Sequence, residues 1–133
     1  MLRLSGHTAQ EERNVETVLQ FYDAALNEKS AARSSQFLAA SYRQHNPLAA
    51  DGVSGFRQFV ETLAQSSPES HSSIERVFAD GEYVILHVHK IVEPGTSGLA
   101  IVDIFRLEGG KIVEHWDVTQ PIPDQTASGN PML

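Results

Sequence analysis

The feature that most constrains this chain is a change of hydrophobic period near residue 70. Up to Gln65 the apolar residues recur every three or four positions. Beyond SSPES they alternate, in HSSIERVF (71–78), EYVILHVHKIV (82–92), GLAIVDIFRL (98–107) and KIVEHWDV (111–118). The first spacing makes a one-sided helix and the second makes a strand. The joints ADGE, EPGTSG and EGG carry the glycines that tight hairpin connections need. Helices first and short-linked strands afterwards predict an α+β fold with a mostly antiparallel sheet.

On the helical side, residues 11–28 place Val15, Val18, Leu19, Tyr22, Ala25 and Leu26 on one stripe, with Glu11 and Glu12 where the helix dipole favours acids. Ser30 caps a second, short helix through Leu38. Pro47 and Gly52 break 42–52 into a loop with a brief extended piece, and Ser54 caps a third helix with Phe56, Phe59, Val60 and Leu63 on one face. With 133 residues and no repeat or linker, the expectation is one domain over 1–133, its last stretch (120–133) an irregular tail.

Composition narrows the function classes. A net charge of −7 and the lack of any Lys/Arg cluster argue against nucleic acid as a partner. Zero cysteines exclude disulfides, thiol catalysis and thiolate metal sites. MLRLSGHTAQEER has no apolar run of leader length, and no segment has the ~20 apolar residues of a membrane span. A soluble cytoplasmic protein without a membrane partner is expected. There is no G-x-S-x-G elbow, P-loop, dinucleotide fingerprint or H-E-x-x-H, so serine-hydrolase, nucleotide and zinc-protease readings lack support.

Two strands are apolar on both faces. In 84–91, Val84, Leu86 and Val88 point one way, and Ile85, His87, His89 and Ile91 the other. An antiparallel sheet normally turns one polar face to water. An apolar second face predicts a homodimer through the outer side of the sheet, with Trp116 as a contact anchor.

Into these greasy strands the chain inserts Asp103, His115 and Asp117, and an ionised carboxylate there needs a partner, water or a task. The loop EGG decides who meets whom. A three-residue loop, Glu108 to Gly110, pairs Leu107 with Lys111, sets Asp103 opposite His115 and puts Asp117 on the same face. A two-residue turn, Gly109-Gly110, pairs Glu108 with Lys111, sets Asp103 opposite Trp116 and sends His115 to the other face. The first register is preferred because it gathers the ionisable groups. Neighbouring acid and imidazole groups in a dry pocket suit proton transfer near neutral pH; the plainer alternative is a buried histidine held by one structural hydrogen bond.

The stretch YRQHNPLAADG, the run AIVDIFRLEGGKIVEHWDV and the following QPIP together resemble the SnoaL-like polyketide cyclase family of the nuclear transport factor 2-like superfamily. The closest likeness is to its branch of bacterial proteins described as predicted aldol-condensation enzymes, over about residues 12–123. The resemblance implies a cone-shaped α+β barrel, a curved antiparallel sheet of four to six strands closed by three helices, and often a homodimer. It also implies acid/base aldol chemistry on a carbonyl ligand without metal or organic cofactor. Asp103 and His115 best match the family's acid and histidine, with Asp117 the other match for the acid. The ending NPML departs from the branch's usual ending.

On this reading Asp103 removes a proton alpha to a carbonyl, His115 orients or charge-balances it, and His45 of QHNP hydrogen-bonds the enolate oxygen. Asp117, His87, His89, Tyr42 and Phe105 would line the substrate pocket. Two other readings remain open: a non-catalytic pocket protein for a small apolar carbonyl or acidic ligand, and a metal site formed by His87 and His89 with His45, His115 and Asp103.

Overall fold

The structure, a computed structural model, describes residues 6–133. The five residues before these, part of the segment read as lacking a leader, lie outside the described residues. Helix α1 (Ala9–Tyr22) opens on a reciprocal cap: the Thr8 hydroxyl accepts the Glu11 N–H at 3.1 Å, and the Glu11 carboxylate accepts the Thr8 N–H at 2.9 Å. The helix runs on into one π-helical turn, Asp23–Asn27, which buries Ala24, Ala25 and Leu26. Helix α2 (Ala31–Ser35) is capped by Ser30, as its sequence predicts. Helix α3 spans Gly52–Ser66 with Asp51 at its cap position, so Ser54 lies inside the first turn and does not cap it.

Between α2 and α3 runs β1 (Leu38–Gln44), where the pattern predicts a helix end and a loop. The strand was hidden because its buried positions, Leu38 and Tyr42, are four apart, and its pairing shifts between Leu38 and Arg43. A four-residue spacing reads as helix.

Strands β2 (His71–Asp80), β3 (Tyr83–Ile91), β4 (Leu99–Glu108) and β5 (Lys111–Pro121) form an antiparallel meander. The sheet order is β1-β5-β4-β3-β2, and β1 joins β5 in parallel, so the sheet is mixed and five-stranded. It does not close: β1 and β2 are its two edges, and the expected barrel is an open sheet.

The β4–β5 hairpin combines features of both registers. Glu108 pairs with Lys111, and Gly109 and Gly110 have φ of 56° and 79°, as a two-residue type I′ turn requires. By itself that turn would send His115 to the wrong face. But Leu107 pairs with Ile112 and Arg106 with Glu114, which leaves Val113 as one extra residue on β5. The bulge restores parity. Asp103 comes to stand opposite Asp117, and Phe105 opposite His115, so the expected direct Asp103–His115 pairing becomes a diagonal one on the same face.

Helices α1 and α3 cover the inner face of the sheet. Val84, Leu86 and Val88 on β3 are fully buried there, against a cluster that includes Val18, Phe21 and Val60. Each such side chain contributes roughly 1.5–3 kcal/mol by leaving water. The outer face keeps large apolar groups in solvent, with Phe78 54% and Val118 71% exposed. The C-terminal Pro131, Met132 and Leu133 lie beside Phe78, Ile85, His87 and Val102 on that face, not over the inner one. No described helix is long and apolar enough to cross a membrane.

Candidate functional site

A cavity of about 210 Å³ lies between the inner face of the sheet and the helices. Phe21, Phe56 and Phe105 make its apolar floor. Asp103, His115 and Asp117 make one wall, Tyr42, Gln44 and Asn46 of β1 and its following loop make another, and Lys90 stands at the β3 end.

The centre is Asp103, which is 3% exposed. Its Oδ1 lies 2.8 Å from His115 Nε2, and its Oδ2 accepts the Tyr22 hydroxyl at 2.7 Å. On its other side, His115 Nδ1 lies 2.7 Å from Gln44 Oε1. That oxygen already accepts the Asn46 backbone N–H at 3.0 Å, which fixes the amide orientation. A carbonyl oxygen therefore faces Nδ1, and Nδ1 carries a proton. Nε2 and Asp103 Oδ1 then hold a single further proton between them, as imidazolium and carboxylate or as imidazole and acid. Phe105 packs on the imidazole with ring centroids 4.7 Å apart, which keeps the ring in place.

Asp117 faces Asp103 across the ladder, and its Oδ2 lies 3.9 Å from His115 Nε2. Facing carboxylates repel unless a positive charge sits with them, and the imidazole is placed to supply it. Asn46 Nδ2 donates to Asp117 Oδ2 at 2.6 Å. Asp117 Oδ1 accepts no hydrogen bond among the described residues.

Gln44 Nε2 donates to the Tyr42 hydroxyl at 2.8 Å. The Tyr42 O–H proton is thus left to point into the cavity that its ring lines. Burial, then the charges of Asp103 and Asp117, push the Tyr42 phenol above its usual range; Tyr22 is raised too, by burial and by the charge and hydrogen bond of Asp103. Both remain donors.

The structure gathers Asp103, His115, Asp117, Tyr42 and Phe105 around one cavity, and excludes three residues expected there. His45 follows Gln44 on β1, and parity turns its side chain outward: it stacks on Trp116 (centroids 4.9 Å apart, planes 2° apart) and pairs with Glu114 at 2.7 Å. It cannot polarise a carbonyl inside. His87 and His89 also occupy outward positions of β3, where His87 Nδ1 meets Arg76 at 3.1 Å and His89 Nε2 meets the Ser97 carbonyl at 2.9 Å. The alternative histidine metal site is therefore not assembled.

Four contributors were missed: Tyr22, Gln44, Asn46 and Lys90. Tyr22 read as core, and the histidine of QHNP drew attention from the two amides flanking it. Lys90 could have been found, since it shares the parity of Val84, Leu86 and Val88, but the alternation was read without it.

For a cation, Asp103, His115 and Asp117 each offer one ligand atom, all within 4.8 Å of one another. Binding there would cost His115 its bond to Asp103, so the donor set as arranged suits a shared proton better than a metal.

A family model for the SnoaL-like domain matches residues 18–115. The chain belongs to the SnoaL-like family. No curated protein matches it. Among solved structures, it is similar to a candidate polyketide cyclase from Acidithiobacillus ferrooxidans (20% identity, 90% of this chain and 92% of that one, TM-score 0.71). It is also similar to a candidate isomerase of the SnoaL-like family from Agrobacterium tumefaciens (21%, 82% and 98%, TM-score 0.69) and to an NTF2-like protein of unknown function from Cytophaga hutchinsonii (18%, 89% and 96%, TM-score 0.67). At these identities the likeness establishes the NTF2-like fold, and the SnoaL-like chemistry has to be argued from the site.

Proposed function

We propose that this SnoaL-like protein is an acid/base catalyst of enolate chemistry, an aldol cyclisation or a related isomerisation, on a small carbonyl compound in the apolar cavity. The observation that carries the reading is the buried 2.8 Å contact between Asp103 Oδ1 and His115 Nε2, with that nitrogen 3.9 Å from the carboxylate of Asp117, which has one unengaged oxygen. Asp117 Oδ1 takes the proton alpha to the carbonyl. Asp103 was the expected base, but both its oxygens are engaged and it lies deeper, so its part is to charge-balance His115. The Tyr42 hydroxyl replaces His45 as donor to the developing enolate oxygen, and Asp117 gives the abstracted proton back to the product, so the His115–Asp103 pair ends the cycle with the proton it began with. No organic cofactor or metal enters this scheme. The outer-face residues Phe78, Val102 and Val118 support a homodimer, which sedimentation at micromolar concentration checks: a monomer would remove it.

The test needs no natural substrate. Exchange of the α-protons of a methyl ketone such as 2-octanone in D2O, followed by proton NMR, reads the abstraction step directly. Asp117→Asn should lower the enzyme-dependent rate by ~10²–10⁴-fold. Wild-type protein that binds the ketone without accelerating exchange would favour the non-catalytic pocket, and an unchanged rate in the variant would take Asp117 out of the mechanism.

A further inference from the structure

The cavity is polar at two ends, and only one of them is used above. At the other stands Lys90, on the inner face of β3 two inner-face positions beyond Leu86, the residue that pairs with Asp103. Among the described residues it makes no hydrogen bond and no ion pair. Burial lowers its pKa, opposed by Asp103 and Asp117 and reinforced by the charge of Lys29.

Lys29 adds positive charge near Lys90. Lys29, close enough to repel it, has no carboxylate partner among the described residues; its ammonium donates to the carbonyl oxygens of Ser70 at 2.8 Å and Asn27 at 3.4 Å. Ser72 stands directly across the β2–β3 ladder from Lys90 and is 4% exposed, as is Ser70. The hydroxyls of both serines are buried without a hydrogen-bond partner among the described residues. Lys29 and the two serines are not among the residues that line the cavity; Lys90 is, in a chain whose net charge is −7. A buried donor without an acceptor is costly, and buried polar groups in folded proteins are nearly always paired. An anionic group on the ligand supplies the acceptor that Lys90 lacks.

We propose that the substrate is a carbonyl compound that also carries a carboxylate, which Lys90 receives while the carbonyl end meets Tyr42 and Asp117. The carbonyl half rests on the proposed function; the carboxylate half does not. Spacing sets the length of the molecule. Leu86 and Lys90 are four residues apart, about 13 Å along a strand, and a lysine side chain spans several of those, so the two ends of the ligand lie on the order of 7–10 Å apart. The walls between them, Leu26, Leu99 and Ile101, ask for an unbranched apolar linker.

The probes are the keto acid 7-oxooctanoate, chosen for that span, and its methyl ester, which has the same chain and no charge. Binding is read by NMR titration, and α-proton exchange in D2O is read on the same samples. For Lys90→Met, the Kd of the acid should rise about 10–100-fold, as loss of a charged hydrogen bond predicts, while that of the ester stays put. Lys90→Arg should keep most of the affinity for the acid, which separates lost charge from lost packing. Equal effects on acid and ester, or none on either, overturn the proposal. So does a borohydride-trapped ketone adduct on wild-type protein that is absent from Lys90→Met, because the amine would then be an imine-forming nucleophile. The two readings fail separately: charge selectivity without exchange refutes the enolate chemistry alone, and exchange without charge selectivity refutes the carboxylate alone.

Discussion

Removing one oxygen from Tyr22 tests how the site is held together. In Tyr22→Phe the ring keeps its edge-on contact with Phe105 (centroids 6.4 Å apart, planes at 87°), and only the hydroxyl that donates to Asp103 Oδ2 at 2.7 Å is lost. Nothing else in reach replaces that donor, because the other Asp103 oxygen is taken by His115 and Asp103 is 3% exposed. A hydrogen bond to a charged group contributes about 1.5–3 kcal/mol, and a buried carboxylate left short of a donor sits at the upper end. Unfolding entropy of about 2.1 cal/mol/K per residue, over 133 residues, comes to ~0.28 kcal/mol/K. The melting temperature should therefore fall by roughly 5–11 °C at pH 7. Urea denaturation gives the same quantity isothermally. In an Asp103→Asn background the same substitution should cost much less, since the pair is coupled. A loss below ~0.5 kcal/mol in wild type, or equal losses in both backgrounds, would refute the claim that the Tyr22 hydroxyl holds Asp103 in place.

Tyr22 and Tyr42 both have raised pKa values, so between the ordinary phenol range near 10 and their folded values the unfolded chain has lost protons that the native state keeps. Stability then falls as pH rises, by ~1.4 kcal/mol per pH unit for each tyrosine, and Tyr42→Phe should halve the combined alkaline slope measured by urea titration above pH ~10. On the acid side, the His45 and Arg106 contacts hold the Glu114 carboxylate below its usual range, so its contribution is present at neutral pH and lost as pH falls through the depressed value. His45→Ala should therefore lower stability at pH 7 more than at pH 3, while ketone α-proton exchange stays unchanged because the ring lies outside the cavity. A methyl group at Gly55 would sit 2.2 Å from the Ala50 carbonyl oxygen, so Gly55→Ala should cost on the order of 1–3 kcal/mol by thermal melt, and a neutral result would mean that the 48–52 loop is free to move.

The elements that came through the sequence intact are those with unbroken periods. Strands β2 to β5 match the alternating runs to within three residues at their ends, and α1 carries the stripe from Val15 to Leu26 through its π-helical turn. Where a period is interrupted, local pattern failed. Strand β1 shows only Leu38 and Tyr42 as buried apolar positions, and its partner strand lies about 70 residues away, so nothing nearby marks it as extended. His45 was misplaced as a direct result, since without a strand at 38–44 there is no parity to say that Gln44 faces in and His45 out. His87 and His89 were different: alternation already set them opposite Leu86 and Val88, and only their chemistry suggested the pocket.

Residue order alone determined which chemistry is present: helices before strands, a histidine and two carboxylates spaced two apart or across one hairpin, and no thiol. These are consequences of backbone periodicity, which acts over a few residues. Whether the groups meet was decided in three dimensions. The Gly109-Gly110 turn would have parted Asp103 from His115, and the extra residue at Val113, which forms a bulge only because β4 holds the rest of β5 in register, brought them back to one face. The proton they share is set by Tyr22 and Gln44, residues 81 and 71 positions from their partners in the chain. Contacts of that range exist only once the sheet and helices have packed, and no local spacing encodes them.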